Sequence, residues 1–285
     1  MSHLYDVCGV GIDLESSLPA VHEYVARTYS AFAADALPNT PPLLLNVHRE
    51  GQGVVLSDSN GHVEMLEDEW SASLATLTHM TELIVAGLAD AGTLTVHAGA
   101  AAHHGRAVIM AGPSGTGKTT LALGLVSRGW GLLSDETAVI PPQGRTVLPY
   151  RRSVHIRPGT PELIPQLAFL HREPQLPLGG GIKWSLTPQE LDQAFPGCLA
   201  APARLTNVLL LAPPTDELGP PRLEPVSPAV AVVELAHGTP TAGHDLNFVL
   251  ARLAALLGDV RCARLRPGDF EQSLETVTAW LDGGD

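Results

Sequence analysis

The 285-residue chain has only three cysteines, Cys8, Cys198 and Cys262. They lie far apart, with no C-x-x-C pair and no Cys/His finger spacing. That excludes a disulfide framework or a zinc finger and points to reduced thiols in a cytoplasmic protein. Charge is also sparse: Asp, Glu, Lys and Arg make up 16% of residues against 45% apolar ones. Such a balance excludes intrinsic disorder and leaves enough apolar material for a sizeable core. The formal net charge is −13, with none of the basic stripe a nucleic-acid binder needs. Phosphate binding through a few local donors stays open. The first residues carry no basic region followed by a long apolar stretch, so no signal peptide is expected. No run of about 18 apolar residues suggests a membrane span. Repeats are absent, and 28 glycines and 24 prolines follow no Gly-X-Y period, which excludes collagen. Lysine is the scarcest basic residue: 15 of the 17 are Arg, leaving Lys118 and Lys183.

What is present alternates between strand and helix patterns. Residues 1–92 read as a small α+β module. Tyr5–Asp13 suggests an opening strand, and Pro19–Leu37 has helical spacing. Strands follow at Leu43–Val47 and Val54–Ser57, with a hairpin signal at Asn60-Gly61 and an amphipathic helix over Trp70–Ala89. In residues 93–285, strands are expected at Leu94–Ala101, Arg106–Ala111, Gly131–Ser134, Leu205–Ala212 and Val260–Leu265. Helices are expected at Lys118–Arg128, Val230–Leu235, Asp245–Leu257 and Asp269–Leu281. Thr137–Ile140 and Thr146–Leu148 read as a hairpin, and the Pro- and Gly-rich stretch 158–189 as a mobile loop around short elements. The expected fold class is α/β.

The strongest motif is Gly112-Pro113-Ser114-Gly115-Thr116-Gly117-Lys118-Thr119, which fits G-x-x-x-x-G-K-[ST] between an apolar strand and a helix. Its glycines let backbone N–H groups turn inward around phosphate oxygens, and the helix adds its positive end. Lys118 suits the β- and γ-phosphates, and the Thr119 hydroxyl suits Mg²⁺. With Thr120, these residues form the expected site for ATP or another nucleoside triphosphate. Asp135-Glu136 follow the strand Gly131–Ser134, where a carboxylate can hold Mg²⁺ or accept a proton; solvated acids at a strand end read the same way. His97 lies in the strand before the loop strand, as a structural or a reactive residue, while His103-His104 sit in a turn. Lys183, after Gly179-Gly180-Gly181, and Arg157, near Arg151 and Arg152, are further phosphate-binding candidates or solvated cations.

The stretch 96–136, VHAGAAAHHGRAVIMAGPSGTGKTTLALGLVSRGWGLLSDE, resembles the catalytic core of the HPr kinase/phosphorylase family. The resemblance implies a P-loop core of that type with a mixed sheet in residues 93–285. It implies that His97 is the catalytic histidine, that Asp135 is the general base toward an acceptor hydroxyl and that Glu136 helps hold the metal. Glu136 stands where the bifunctional enzymes have a second Asp. Their E-[VI]-R-G-like run has no clear counterpart, Ser153–Gly159 being nearest.

The expected activity is therefore an ATP- and Mg²⁺-dependent transfer of the γ-phosphoryl group to a hydroxyl. The acceptor would be a seryl side chain of a protein or peptide, or a small molecule, and need not be HPr. The resemblance makes a homo-oligomer plausible; neither nucleic acid nor membrane is an expected partner. The competing reading is a nucleotide-gated regulatory protein, which needs Lys118 and Thr119 but not His97 and Asp135. A nucleotide-coupled decarboxylase would require further metal ligands that the sequence does not display. If Asp135 is instead the principal Mg²⁺ ligand, Glu136 becomes the candidate base.

Overall fold

The computed structural model describes residues 2–37, 41–173, 175–178, 181–213, 219–239 and 245–283. These form two compact units: Met1–Gly92 together with Arg151–Ser153, and Thr93–Tyr150 together with Val154–Asp285.

The first unit is a five-stranded sheet carrying two helices. The reading of Tyr5–Asp13 as one strand is corrected: the chain forms β1 (Ser2–Val7) and β2 (Val10–Ser16), paired antiparallel. The turn between them has positive φ at Cys8 (55°) and Gly9 (95°), and the Asp6 carboxylate accepts the Gly9 N–H. Gly9 is suited to that backbone region, but a cysteine enters it seldom, so pattern alone does not disclose the turn. The helix α1 (Pro19–Tyr29) begins on a proline at its first turn and ends well before Leu37, giving way to a 3-10 turn at Ser30–Phe32. It bridges β2 to the parallel strand β3 (Leu43–Glu50). β4 (Gly53–Asp58) and β5 (Val63–Leu66) continue antiparallel. Their turn uses Gly61 at φ 92°, and the Asp58 carboxylate accepts the N–H groups of Asn60 and His62.

Asp68 caps the 22-residue helix α2 (Glu69–Asp90) by accepting the Ser71 N–H. By length and composition α2 could cross a membrane. Its buried residues, including Met80, Ile84 and Leu88, instead face the sheet, which makes it a core helix of this unit.

The second unit is built on an eight-stranded mixed sheet. β6 (Leu94–His103) and β7 (Arg106–Ala111) form a hairpin through His104-Gly105, at φ 49° and 73°. α3 (Lys118–Ser127) leads to β8 (Gly131–Ser134) and β9 (Thr137–Ile140), both paired with β6. The expected hairpin of β9 with Thr146–Leu148 is only partly present. β10 (Thr146–Val147) pairs with β14 (Ala203–Leu211), and a single bridge joins Val139 to Leu148. Pro141 and Pro142 lack the N–H groups that would extend the ladder; Arg252 holds the carbonyls of Pro141 and Gly144 at 2.7 and 3.2 Å. β7, β14 and β16 (Arg261–Arg266) run parallel, and β15 (Arg222–Pro225) closes the far edge antiparallel to β16.

Helices cover both faces of this sheet. Along β7, Val108 and Met110 face the core shared with α3 and α8 (Phe270–Leu281). Ala107, Ile109 and Ala111 face the core shared with α6 (Pro228–His237) and α7 (Leu246–Leu257). An apolar strand buried on both sides gives that result.

The stretch 158–189 differs from the expected loop. It contains α4 (Thr160–Leu163), a 3-10 stretch Pro165–Arg172 and β12 (Leu176–Leu178), and with β11 (Val154–Ile156) and β13 (Gly181–Leu186) it builds a three-stranded sheet ahead of α5 (Pro188–Ala194). Ile164, Leu167, Leu170, Trp184 and Leu186 join the core on the α3 side. Apolar residues spaced between prolines supply that core without a regular period, so the sequence pattern reads as loop. Gly179 and Gly180, of the expected triple-glycine hinge, lie outside the described residues.

Ile109→Ala should cost about 2–5 kcal/mol, because the side chain is fully buried. Val63→Ala, at a side chain 66% exposed, should stay within about 0.5 kcal/mol. Chemical denaturation measures both, and equal losses would contradict this assignment of core and surface.

Candidate functional site

The glycine-rich loop leaves β7 at Ala111, which pairs with Ala98 of β6 on one side and Leu210 of β14 on the other. Gly112 has no room for a side chain: a Cβ there would lie 2.7 Å from the Leu211 carbonyl oxygen. Pro113 O accepts both the hydroxyl (2.9 Å) and the N–H (3.4 Å) of Thr116, closing the loop on itself. Gly115 and Gly117 adopt φ of 86° and 90°, where a side chain would be strained. Gly117 begins α3 without a side-chain cap, so the first N–H groups of the helix lack intrahelical acceptors and its positive end faces the loop.

Lys118 is buried, and its ammonium donates to Gly112 O (2.7 Å) and Pro113 O (3.1 Å). Burial lowers its pKa; the Glu136 charge opposes that shift and the Arg157 charge adds to it. Thr119 is half-buried in the first helical turn. The Thr120 hydroxyl makes a 2.9 Å hydrogen bond to that of Thr160, directing it to the neighbouring turn. Ser114 accepts from Arg157 at 3.3 Å.

The acids arise from a break in a strand. Ser134 pairs with Ala100 and Thr137 with His97, so Asp135 and Glu136 stand level with Gly99 and Ala98 but outside the ladder. The Ser134 hydroxyl holds the break by accepting the N–H groups of Glu136 (3.3 Å) and Thr137 (2.9 Å). Asp135 is 8% exposed, Glu136 half-buried. At Gly99 a Cβ would lie 3.4 Å from Asp135 O and 3.8 Å from Lys118 O, so the strand break and the first turn of α3 meet there. The His97 N–H donates to Gly238 O (2.9 Å), just beyond α6. The His97 pKa is lowered, first by burial and then by the Lys118 charge, against an opposing pull from Glu136.

Electrostatics thus link His97, Lys118 and Glu136, the Asp135 backbone meets the start of α3 at Gly99, and Arg157 reaches the loop from the end of β11. Lys183 follows from register alone. Ile156 pairs with Trp184, so Lys183 is one step further along, level with Arg157. Four residues of this arrangement escape the motif reading: Gly99, Ser134, Thr160 and Gly238. Only Gly99 carries a local signal, since glycine inside a strand marks close backbone approach. Among the described residues, no group of three or more His, Cys, Asp or Glu side chains is placed to hold a metal ion. Mg²⁺ bound with a nucleotide asks for less, one or two side-chain oxygens beside phosphates and waters. Thr119, Asp135 and Glu136 fit that requirement.

Residues 63–147 match the model of the family described as SynChlorMet cassette protein ScmC, a span well under half of the chain. No curated protein matches the chain. Among solved structures, the Hpr(Ser) kinase/phosphatase from Coxiella burnetii is similar over 66% of this chain and 94% of that chain, at 15% identity and a TM-score of 0.31.

An NMR titration of the His97 ring should give a midpoint below the ordinary imidazole value of about 6.5. Lys118→Met should raise that midpoint and Glu136→Gln lower it further, following the sign of each charge. The folded value lies below the unfolded one, so the stability His97 contributes is full above about pH 6.5 and is lost as pH falls through its lowered midpoint. A midpoint above about 6.5 would mean that Glu136 outweighs burial and Lys118.

Proposed function

We propose that this protein is a kinase that uses ATP or another nucleoside triphosphate with Mg²⁺. It moves the γ-phosphoryl group to a hydroxyl on a protein or peptide serine or on a small molecule. The reading rests on the Glu136 charge acting on both His97 and Lys118, and on the backbone of Asp135 and the start of α3 coming together at Gly99. A protein that only binds nucleotide needs the loop, but has no use for a carboxylate, Glu136, whose charge acts on a half-buried histidine as well as on Lys118.

Lys118 exchanges its two loop carbonyls for phosphate oxygens, and the loop N–H groups orient the triphosphate along the start of α3. The acceptor oxygen attacks the γ-phosphorus, the bond to the β–γ bridging oxygen breaks and the diphosphate leaves. Asp135 takes the hydroxyl proton as that charge develops, and neutral His97 orients the acceptor or the carboxylate by hydrogen bonding. Arg157, whose guanidinium reaches Ser114 of the loop, stabilises the developing charge, with Lys183 level beside it. When bound, Mg²⁺ neutralises phosphate charge, held through Thr119 and Glu136. One observation favours exchanging the acids' roles: it is Glu136 whose charge acts on both His97 and Lys118. Glu136 would then be the base and Asp135 the metal ligand.

Transfer of labelled γ-phosphate to candidate proteins, peptides and metabolites, with water as control, tests the activity. Asp135→Asn should reduce acceptor phosphorylation by about 10²–10⁴-fold with a much smaller loss of nucleotide affinity. His97→Ala should act likewise, and the double variant should be little worse than Asp135→Asn, because residues working as a unit are non-additive. If Asp135→Asn abolishes Mg·ATP binding while Glu136→Gln removes only turnover, the acids exchange roles. Full turnover in all four variants, with nucleotide binding intact, would leave the regulatory reading.

Binding itself is separable. Mg·ATP should raise the melting temperature by mass action, and Lys118→Ala should remove most of that rise. An unchanged rise in the variant would sink the nucleotide-site reading.

A further inference from the structure

The turn Arg157–Thr160 braces the glycine-rich loop at both ends. Arg157 donates to the Ser114 hydroxyl at 3.3 Å, near the start of the loop. Three residues on, the Thr160 hydroxyl meets that of Thr120 at 2.9 Å, in the first turn of α3. The turn between them is closed by its own backbone: the Thr160 N–H donates to Arg157 O at 3.2 Å, and Gly159 takes a φ of 94° that favours glycine. Arg157 is exposed, whereas Thr160 is 4% exposed. An exposed arginine samples many rotamers, so how often its guanidinium reaches the loop depends on where its backbone is held. Fully buried Ile156 at the end of β11 fixes one side of this turn; the buried threonine fixes the other, and what it anchors to is the helix that carries Lys118 and Thr119.

We infer that Thr160 is a positioning residue for Arg157, holding the guanidinium at the loop through its hydroxyl bond to Thr120. This rests on the kinase reading only for the role of Arg157; the bracing itself does not depend on it. The direction of the guanidinium is then tied to α3, so loop and arginine move as one piece when Lys118 changes partners. Misplacing a charged group by about 1 Å can cost up to about 10²-fold in rate. Ground-state binding by the loop and Lys118 is insensitive to such a shift.

The test compares Thr160→Val, which keeps shape and loses the hydroxyl, with Thr160→Ser, which keeps the hydroxyl. Thr160→Val should lower kcat by about 10–10²-fold while the nucleotide KM stays within about 2-fold. Thr160→Ser should restore most of the rate. In an Arg157→Gln background, Thr160→Val should add almost nothing, as expected when one residue acts through the other. Hydrogen exchange of the Arg157 guanidinium, followed by NMR without nucleotide, should accelerate in Thr160→Val and recover in Thr160→Ser. If Thr160→Val does not fold, Thr120→Val removes the same bond and should show the same accelerated exchange. An impaired Arg157→Gln beside a fully active Thr160→Val with unchanged exchange overturns the positioning role alone. A fully active Arg157→Gln overturns the catalytic role of Arg157, and exchange then decides whether Thr160 still orders it. Absence of transfer in the unmodified protein overturns the kinase reading, again leaving exchange to decide the brace.

Discussion

The close approach at Gly99 is the constraint on which the rest of the candidate site depends. β6 lies between β7, whose end opens into the loop, and the broken strand β8–β9, which carries the acids. The first turn of α3 must pack onto the same point of β6. A Cβ at position 99 would already be in van der Waals contact with Asp135 O and Lys118 O, at 3.4 and 3.8 Å, which leaves little room beyond it. The run of Ala98, Gly99, Ala100, Ala101 and Ala102 has a corresponding cost in apolar area, about 25 cal/mol for each Å² not supplied. The neighbouring core offsets it: Met110 and Leu123 pack on one side and Ile109 and Leu235 on the other, all fully buried.

Electrostatics follow from that packing. One carboxylate, Glu136, acts on both the imidazole and the ammonium, while Arg157 adds positive charge from across the loop. A buried ammonium without acceptors would be costly. Here the carbonyls of Gly112 and Pro113 satisfy it. These bonds are charge-assisted on the donor side only; under the proposed function, phosphate oxygens would add charge on the acceptor side as well.

The Ser134 hydroxyl is a small device with a large consequence. Two N–H groups freed by the strand break would otherwise lose their ladder partners in a buried setting, at about 1–3 kcal/mol each. Accepting both keeps the break in place and leaves Asp135 and Glu136 outside the strand ladder. Thr160 works on the opposite side of the loop by similar means, joining two backbone segments through one hydroxyl.

Some of this was legible in the order of residues. The strand over Arg106–Ala111, the glycine loop and the helix starting at Lys118 are local: backbone sterics at Gly115 and Gly117 and a continuous apolar run decide them with no distant partner. Helices α7 and α8 are announced by their capping residues Asp245 and Asp269. Other features could be decided only by the tertiary structure. Cys8 turns the chain because β1 and β2 pair across it, and Ile164, Leu167, Leu170, Trp184 and Leu186 are buried because they meet the core beside α3. Thr120, a loop residue by motif, has its hydroxyl on Thr160, 40 positions away. The balance of charge around His97 likewise depends on residues from β6, α3 and the strand break. Sequence determines what short-range sterics and periodicity can dictate; burial, register and hydrogen-bond partners between distant segments exist only once the sheet has assembled.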